Sequence, residues 1–308
     1  MTNSLTVLMP VHNLGRYVGA AIESVLGQTI QDFEFLIIDD GSNDNSLEEI
    51  SKLRDARLRV IRRQKAGLGA TLQLGLEICR TPFLARMDAD DLVTPTRFEK
   101  QLAFLERNRT VGAVGTQFTY FIDDQIPVWS PSLPITSDKI IYLLKRGSLA
   151  LVHASLMFRT EALRACGGYR IAGSGEDWDM FLRLGEVSEL ANLDEQLYWW
   201  RLHPGNISVS KIKLEQLGIR YAIDCACLRA NRLREPSFQE YVKTRSHRSA
   251  TAVAGELKSR SLFHYRQGLC HIARKQRVKG YFELALASTL APDRLVCRLR
   301  REFGSQSR

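Results

Sequence analysis

Phe83-Leu84-Ala85-Arg86-Met87-Asp88-Ala89-Asp90-Asp91 runs from an apolar stretch straight into three carboxylates. A short apolar run that stops abruptly reads as a buried strand, here over Phe83 to Met87. The same grammar appears earlier: Phe33 to Ile38 ends in Asp39-Asp40-Gly41-Ser42, and Leu5 to Val11 ends in the turn His12-Asn13-Leu14-Gly15. Arg57 to Arg62 is a shorter strand between them. Helical stripes separate these strands. Tyr17 to Gln28 puts Val18, Ala21, Ile22, Val25 and Leu26 on one face, Asn43 to Leu53 starts where Ser42 or Asp44 can cap it, and Gly67 to Cys79 keeps helical spacing despite its glycines. Four alternations of strand and helix predict an α/β fold with a mostly parallel central sheet. Ligands of such sheets sit beyond the carboxyl ends of the strands, and both acidic clusters fall there.

Outward from this core, Thr96 to Asn108 is read as a helix and Val111 to Phe121 as a strand. An irregular excursion through Asp123-Asp124-Gln125 and Pro127 to Pro134 leads to a helix over Lys139 to Arg146. Residues 153 to 159 read as a strand, Thr160 to Cys166 and Asp177 to Leu184 as helices, and Leu193 to Arg201 as a strand. Past Lys211 the pattern is helical: Lys213 to Ala230, Ser237 to Ser249, Thr251 to Ser259, Leu262 to Lys275, Gly280 to Leu290 and a short segment over Leu295 to Phe303. A catalytic domain over residues 1–210 and an all-helical region over 211–308 are expected.

Hydrophobic residues make up 44% and charged residues 25% of the 308, the composition of an ordinary soluble globular protein. The six cysteines form no CxxC pair and no zinc spacing, so scattered thiols in a reducing compartment are expected. The N-terminus lacks the pattern of a signal peptide and no run of 18 apolar residues occurs. The chain is therefore expected in the cytoplasm, at most peripheral on the inner face of the membrane. Its net charge of +9 is uneven: residues 211–308 hold 21 Lys plus Arg against 8 Asp plus Glu, a balance of +13 that leaves −4 for the rest. An acidic half suits a metal and chemistry, and a basic half suits an anionic surface.

Three carboxylates in four residues, Asp88, Asp90 and Asp91, repel one another unless a cation or hydrogen bonds offset them, and oxygen ligands of this kind suit Mg²⁺ or Mn²⁺. Taken alone the cluster is equally a solvated turn. Asp39 and Asp40 precede Gly41, which permits a turn or a close ligand approach; the same pair also fits an Asx turn. Glu176, Asp177 and Asp179 follow a glycine-rich stretch, and no more than two of them can share a site on a regular helix. Helix-start acids favoured by the dipole are the plainer reading of that segment. His203, beside Arg201, and His12 each read as readily as hydrogen-bonded surface residues. Lys65-Ala66-Gly67-Leu68-Gly69 lacks the pattern of a nucleoside triphosphate loop.

Together these stretches resemble the inverting family 2 glycosyltransferases of GT-A type that build bacterial capsule, exopolysaccharide and lipopolysaccharide. The resemblance is carried in order by Val7 to Asn13, Leu26 to Thr29, Ile37 to Asp44, Gly67-Leu68, Arg86 to Asp91, Gly167-Gly168-Tyr169, Gly175 to Asp179 and Tyr198 to Ser208. It implies a nucleotide-diphospho-sugar transferase fold that moves one sugar to a glycan or lipid-linked acceptor, with a UDP-hexose or UDP-N-acetylhexosamine the commonest donor in the family and dTDP or GDP sugars the alternatives. On that resemblance the donor is held by Pro10, Val11, Asn13, Asp39, Gly67, Arg86, Asp88, Ala89 and Asp90. The metal, Mn²⁺ or Mg²⁺, falls to Asp90, Asp88 and His203; Asp177 is the general base and Glu176 its neighbour. Gln73 stands where relatives often carry Asn. The absence of a QxxRW motif points to transfer of a single sugar.

The resemblance ends near Ser208. Arg294, Arg298, Arg300 and Arg301 with Leu295, Val296, Leu299 and Phe303 suggest a helix on anionic lipid, or a helix packed on the rest of the protein. A sugar-phosphate nucleotidyltransferase would need a glycine-rich basic loop near the N-terminus, which is missing. A nucleic-acid module would need ordered basic and aromatic stripes, so no nucleic acid partner is expected.

Overall fold

In the computed structural model, residues 4–122, 126–128, 130–170, 175–203, 209–245 and 249–291 are described. The first half follows the expected alternation: β1 (Leu5–Val11), α1 (Val18–Leu26), β2 (Phe33–Asp39), α2 (Ser46–Lys52), β3 (Leu58–Arg62), α3 (Leu68–Ile78) and β4 (Phe83–Arg86). Strands β3, β2, β1 and β4 are parallel neighbours in that order. Their side chains alternate between two cores, as a period of two requires. Val7, Met9, Phe35 and Ile37 pack with α1 on one face, and Leu8, Leu36 and Ile38 pack with Leu72 and Leu76 of α3 on the other.

Beyond β4 the sheet is mixed. The turn to β5 (Leu92–Val93) is too short for a crossover helix, so β5 is not a parallel neighbour of β4 and lies at the far edge of the same sheet. After α4 (Arg97–Arg107) come β6 (Val111–Ile122), β7 (Ile126–Val128), α5 (Ser137–Leu144), β8 (Met157–Arg159), α6 (Thr160–Ala165), α7 (Glu176–Val187) and β9 (Glu189–Arg201). The order is β3-β2-β1-β4-β8-β6-β9-β5, with β7 on β6. β8 runs antiparallel to both β4 and β6, β6 and β9 are parallel, and β5 pairs antiparallel with β9. The strand expected over 153 to 159 keeps only its last three residues, because His153–Ser155 form a 3₁₀ turn.

The helical region consists of α8 (Val209–Ala230), α9 (Phe238–Arg245), α10 (Ser249–Ala273) and α11 (Arg277–Leu290). Ile219, Ala222 and Ala226 of α8 enter the same core as Trp178 and Phe181 of α7. Gly175, at φ +93°, lets α8 cross the start of α7: a Cβ there would stand 2.6 Å from Gly218 Cα. The two helices expected over 251–259 and 262–275 are one, since Ser259 and Ser261 are buried rather than turned to water. No helix among the described residues is long and apolar enough to cross a membrane. The segment expected over Leu295 to Phe303 lies outside the described residues.

Candidate functional site

Strands β2, β1 and β4 end side by side at one edge of the sheet, and the acidic residues follow. Val11 pairs with Asp39 in register, and Leu8 pairs with Arg86. Since neighbouring strands lie about 4.8 Å apart, the ends of β2 and β4 stand roughly 10 Å apart, with β1 between them.

At the β2 end Asp39 is fully buried, and its carboxylate accepts the Ser42 N–H at 3.3 Å. Arg62 Nε lies 3.7 Å from Asp39 Oδ2. Asn13 adopts φ +55° at the end of β1; its N–H donates to Ser42 Oγ at 3.0 Å, and its Oδ1 accepts the Asn43 N–H at 2.9 Å. Pro10 and Val11 are buried beside this turn. Asp44, expected as a helix cap, accepts the Ser46 N–H and also the Gly15 N–H, so it ties α2 to the β1–α1 loop. Asp40 accepts the N–H groups of Ala66 and Gly67 at 2.9 and 2.8 Å. Burial would raise its pKa, but these two donors, together with Thr71 and Arg63, outweigh it and hold the carboxyl low. Gly67, at φ +92°, is thereby drawn against the end of β2.

The second acidic group forms one cluster. Carboxylate oxygens of Asp88, Asp90 and Asp91 lie within 4.8 Å of one another. Their uses differ. Asp91 accepts the Tyr198 hydroxyl at 2.5 Å and the Arg201 N–H at 2.7 Å, so both its oxygens support the loop. Asp88 pairs with Arg86 Nη1 at 2.5 Å, and Asp90 Oδ2 meets His203 Nε2 at 3.0 Å. Burial and then repulsion from Asp90 and Asp88 push the Asp91 carboxyl well above its ordinary range; burial also raises Asp88. Oxygen donors crowded until they repel suit a hard divalent cation, and the Asp88, Asp90 and Asp91 oxygens lie close enough together to share one, with the His203 imidazole at the rim against Asp90. Arg86, buried beside the cluster, keeps its Nε with no hydrogen-bond partner among the described residues. Ala89 is buried within the turn.

Arg86 joins the acidic turn to α7. Its charge acts on Asp88, on Glu176 and on Asp177. Burial, then the neighbouring Asp177, pushes Glu176 up to about 8. Burial, then Glu215 of α8, pushes Asp177 up to about 6, although its side chain keeps a partly open face. Asp179 turns away as helix geometry demands. It is held by Arg170 and Arg183, with Arg183 Nη2 at 2.7 Å.

Several supporting contacts escaped sequence reasoning, although Arg201, Gln73 and Tyr169 stand in stretches already singled out there. The Tyr17 ring stacks 4.7 Å from His203, and Arg201 lies over the same tyrosine while its Nε donates to the Asp90 carbonyl at 2.7 Å. Arg97, fully buried, donates to the Arg86 carbonyl at 2.9 Å, and burial lowers it to about 9. Gln73 Oε1 accepts the Tyr169 N–H at 2.9 Å, an anchor for the glycine pair before that tyrosine. His153 Nε2 meets the Tyr169 hydroxyl at 2.9 Å. The only sequence signal for these was a polar residue inside an apolar stretch. His12 keeps a buried Nδ1 with no partner among the described residues.

Comparison with known proteins converges on one family. The family model described as Glycosyl transferase family 2 matches residues 6–167. An uncharacterized glycosyltransferase of Haemophilus influenzae is 30% identical over 229 residues, covering 69% of this chain and 69% of that protein. The O-antigen biosynthesis glycosyltransferase WbnJ of Escherichia coli is 30% identical over 206 residues, covering 65% and 80%. Chondroitin synthase of Escherichia coli is 28% identical over 217 residues, and the match spans 69% of this chain but only 31% of the synthase. The crystal structure of S. aureus TarS 1–349 in complex with UDP superposes with a TM-score of 0.57 at 18% identity, covering 92% of this chain and 90% of that one, a likeness of fold.

Proposed function

The chain belongs to the family 2 glycosyltransferases, and from that premise we propose that it moves one sugar from a UDP-sugar to a glycan or lipid-linked acceptor by direct, inverting displacement. The observation that carries this reading is the cluster of Asp88, Asp90 and Asp91 oxygens within 4.8 Å at the carboxyl end of β4. The UDP and UDP-GlcNAc complexes of TarS, alike in fold, support the choice of donor.

In this reading Asp39 accepts from the base and Asn13, Pro10, Val11 and Gly67 line the nucleotide. Asp88, Asp90 and His203 would hold Mn²⁺ or Mg²⁺, which would supply Lewis-acid chemistry at the diphosphate. The Arg86 guanidinium, buried and paired with Asp88, faces the same negative charge. Asp177, with a pKa of about 6, is mostly ionised at neutral pH and takes the proton of the acceptor hydroxyl as that oxygen attacks. Glu176, at about 8, stays mostly protonated and offers a hydrogen bond instead of a second negative charge.

A screen of UDP-hexoses and UDP-N-acetylhexosamines with Mn²⁺ or Mg²⁺, read by release of UDP, tests the proposal. Asp177→Asn should still bind UDP and lose release by at least about a hundredfold. Wild-type turnover by that variant would remove Asp177 from the base role.

A further inference from the structure

The α10–α11 hairpin presents an apolar face that the rest of the fold leaves open. Val278, Tyr281 and Phe282 of α11 fall at i, i+3 and i+4, one stripe of a helix, and are 86%, 63% and 63% exposed. The opposite stripe is already used. Gly280 sits so close to α10 that a Cβ would stand 2.4 Å from Ile272, and the Ser261 hydroxyl donates to the Ala287 carbonyl at 2.8 Å. The outward stripe is therefore not a packing face waiting for α10.

Charge surrounds it. Residues 274–282 hold Arg274, Lys275, Arg277 and Lys279 and no Asp or Glu, and all four cations are exposed. The next acid along the chain, Glu283, meets His264 Nδ1 at 2.6 Å. Three large apolar side chains in water are unfavourable, and Lys275, Arg277 and Lys279, close along the chain, repel one another. A bilayer interface relieves both, because its acyl boundary and its head-group phosphates lie within one side-chain length. A nucleic acid would answer the cations and leave Val278 without a partner, and a second copy would set two positive tips face to face.

We propose that the tip of the α10–α11 hairpin docks on a bilayer rich in anionic lipid. Val278, Tyr281 and Phe282 enter the boundary below the head groups, and Lys275, Arg277 and Lys279 lie on the phosphates. This contact is separate from the basic segment 294–301, and it does not rest on the transferase reading, since a chain with no turnover would still dock.

Cosedimentation of the full chain with phosphatidylcholine vesicles, with and without about 30% phosphatidylserine, tests it at about 0.1 M salt. Binding should require phosphatidylserine and fall as salt rises. The variant Val278→Ser/Tyr281→Ser/Phe282→Ser should bind at least about tenfold more weakly with its charges intact. The variant Lys275→Gln/Arg277→Gln/Lys279→Gln should lose the preference for anionic lipid. Both sets lie on the surface, and an unchanged melting temperature separates lost docking from lost folding. Wild-type cosedimentation by both variants would overturn the proposal and move the contact elsewhere. So would a wild-type chain that ignores vesicles while it self-associates, or binds a single-stranded oligonucleotide, through these same residues.

Discussion

Tyr198 donates its phenolic hydrogen to Asp91 Oδ2 at 2.5 Å, and Arg201 in the same strand donates its backbone N–H to Asp91 Oδ1 at 2.7 Å. One buried carboxylate thus fastens the end of β9 to the acidic turn after β4. The same strand carries the chain to His203, so this bond sets the distance between the carboxylates and the imidazole that would share a cation.

Tyr198→Phe is therefore expected to cost about 1–3 kcal/mol of stability, because it leaves a buried carboxylate short of a donor. It should also weaken metal-dependent UDP binding several-fold without abolishing it. Asp91→Asn should act through the same link, so the double variant should be little worse than the worse single one. Chemical denaturation and calorimetric titration with UDP and Mn²⁺ would measure both. Strictly additive losses would show that the two residues do not act as a unit.

Asp90 and Asp88 differ in what else holds them. Asp88 has Arg86 at 2.5 Å, whereas Asp90 has the His203 imidazole at 3.0 Å. In the proposed site Asp90→Asn should remove the metal-dependent rise in melting temperature with UDP, and His203→Ala should reduce it. Asp88→Asn frees a buried cation as well as removing a ligand, so it should lower the melting temperature of the unliganded protein too. Equal metal-dependent shifts in wild type and Asp90→Asn would contradict the assignment.

The pH dependence follows from Asp177. A base must be ionised, so a pKa of about 6 places the acid limb of kcat/KM near pH 6, with a tenfold loss per unit below it. Glu215→Gln removes the main charge that raises Asp177 and should move the limb down. Glu176→Gln should leave it in place, because Glu176, at about 8, is still protonated there. Stability runs the other way. A raised acid contributes fully below its unfolded pKa, and that contribution is lost as pH rises through about 6. Asp177→Asn should thus raise the melting temperature by several degrees at pH 8 and leave it unchanged near pH 3, below the unfolded pKa. A limb near pH 4 in the wild type would rule out this electrostatic picture.

What was legible in the sequence was local. An apolar run ending in Asp88-Ala89-Asp90-Asp91 marks a strand and its ligand edge because period and polarity change at one point. Asp39 was readable for the same reason, whereas Gly67 entered as a donor residue only through the family resemblance. The partners were not. Tyr198 lies 107 residues from Asp91, and nothing near it signals that its hydroxyl is needed. Gly218 sits mid-helix, and only the crossing of α8 over Gly175 gives it a purpose. β5 is two residues long, too short for any period. Residues 260–261 read as a break between helices, yet Ser259 and Ser261 are both buried in one continuous helix where Ser261 bonds to α11.

Asp179 gives the last prediction, because it links the segment before α7 to the helical region. Arg170 grips it with Nε and Nη2, each at 2.9 Å, and the same Nη2 reaches Glu235 beyond α8 at 2.5 Å. Arg183 holds the other side and also donates to the Gly168 carbonyl at 2.7 Å. Burial would raise the Asp179 carboxyl, but the two arginines prevail and hold it low. Its stabilising contribution is therefore present above the ordinary Asp range and lost as pH falls through the depressed value. Asp179→Asn strands a buried guanidinium and should cost about 3–5 kcal/mol at neutral pH, with the gap to wild type closing in acid. Glu235→Gln breaks only the partly exposed arm and should cost about 1 kcal/mol or less. If Arg170 positions α7 for chemistry, Arg170→Lys, which keeps the charge and loses the two-point grip, should lower kcat while the Kd for UDP stays within about twofold. A loss confined to UDP affinity would place the effect of Arg170 at the donor site and separate this network from Asp177.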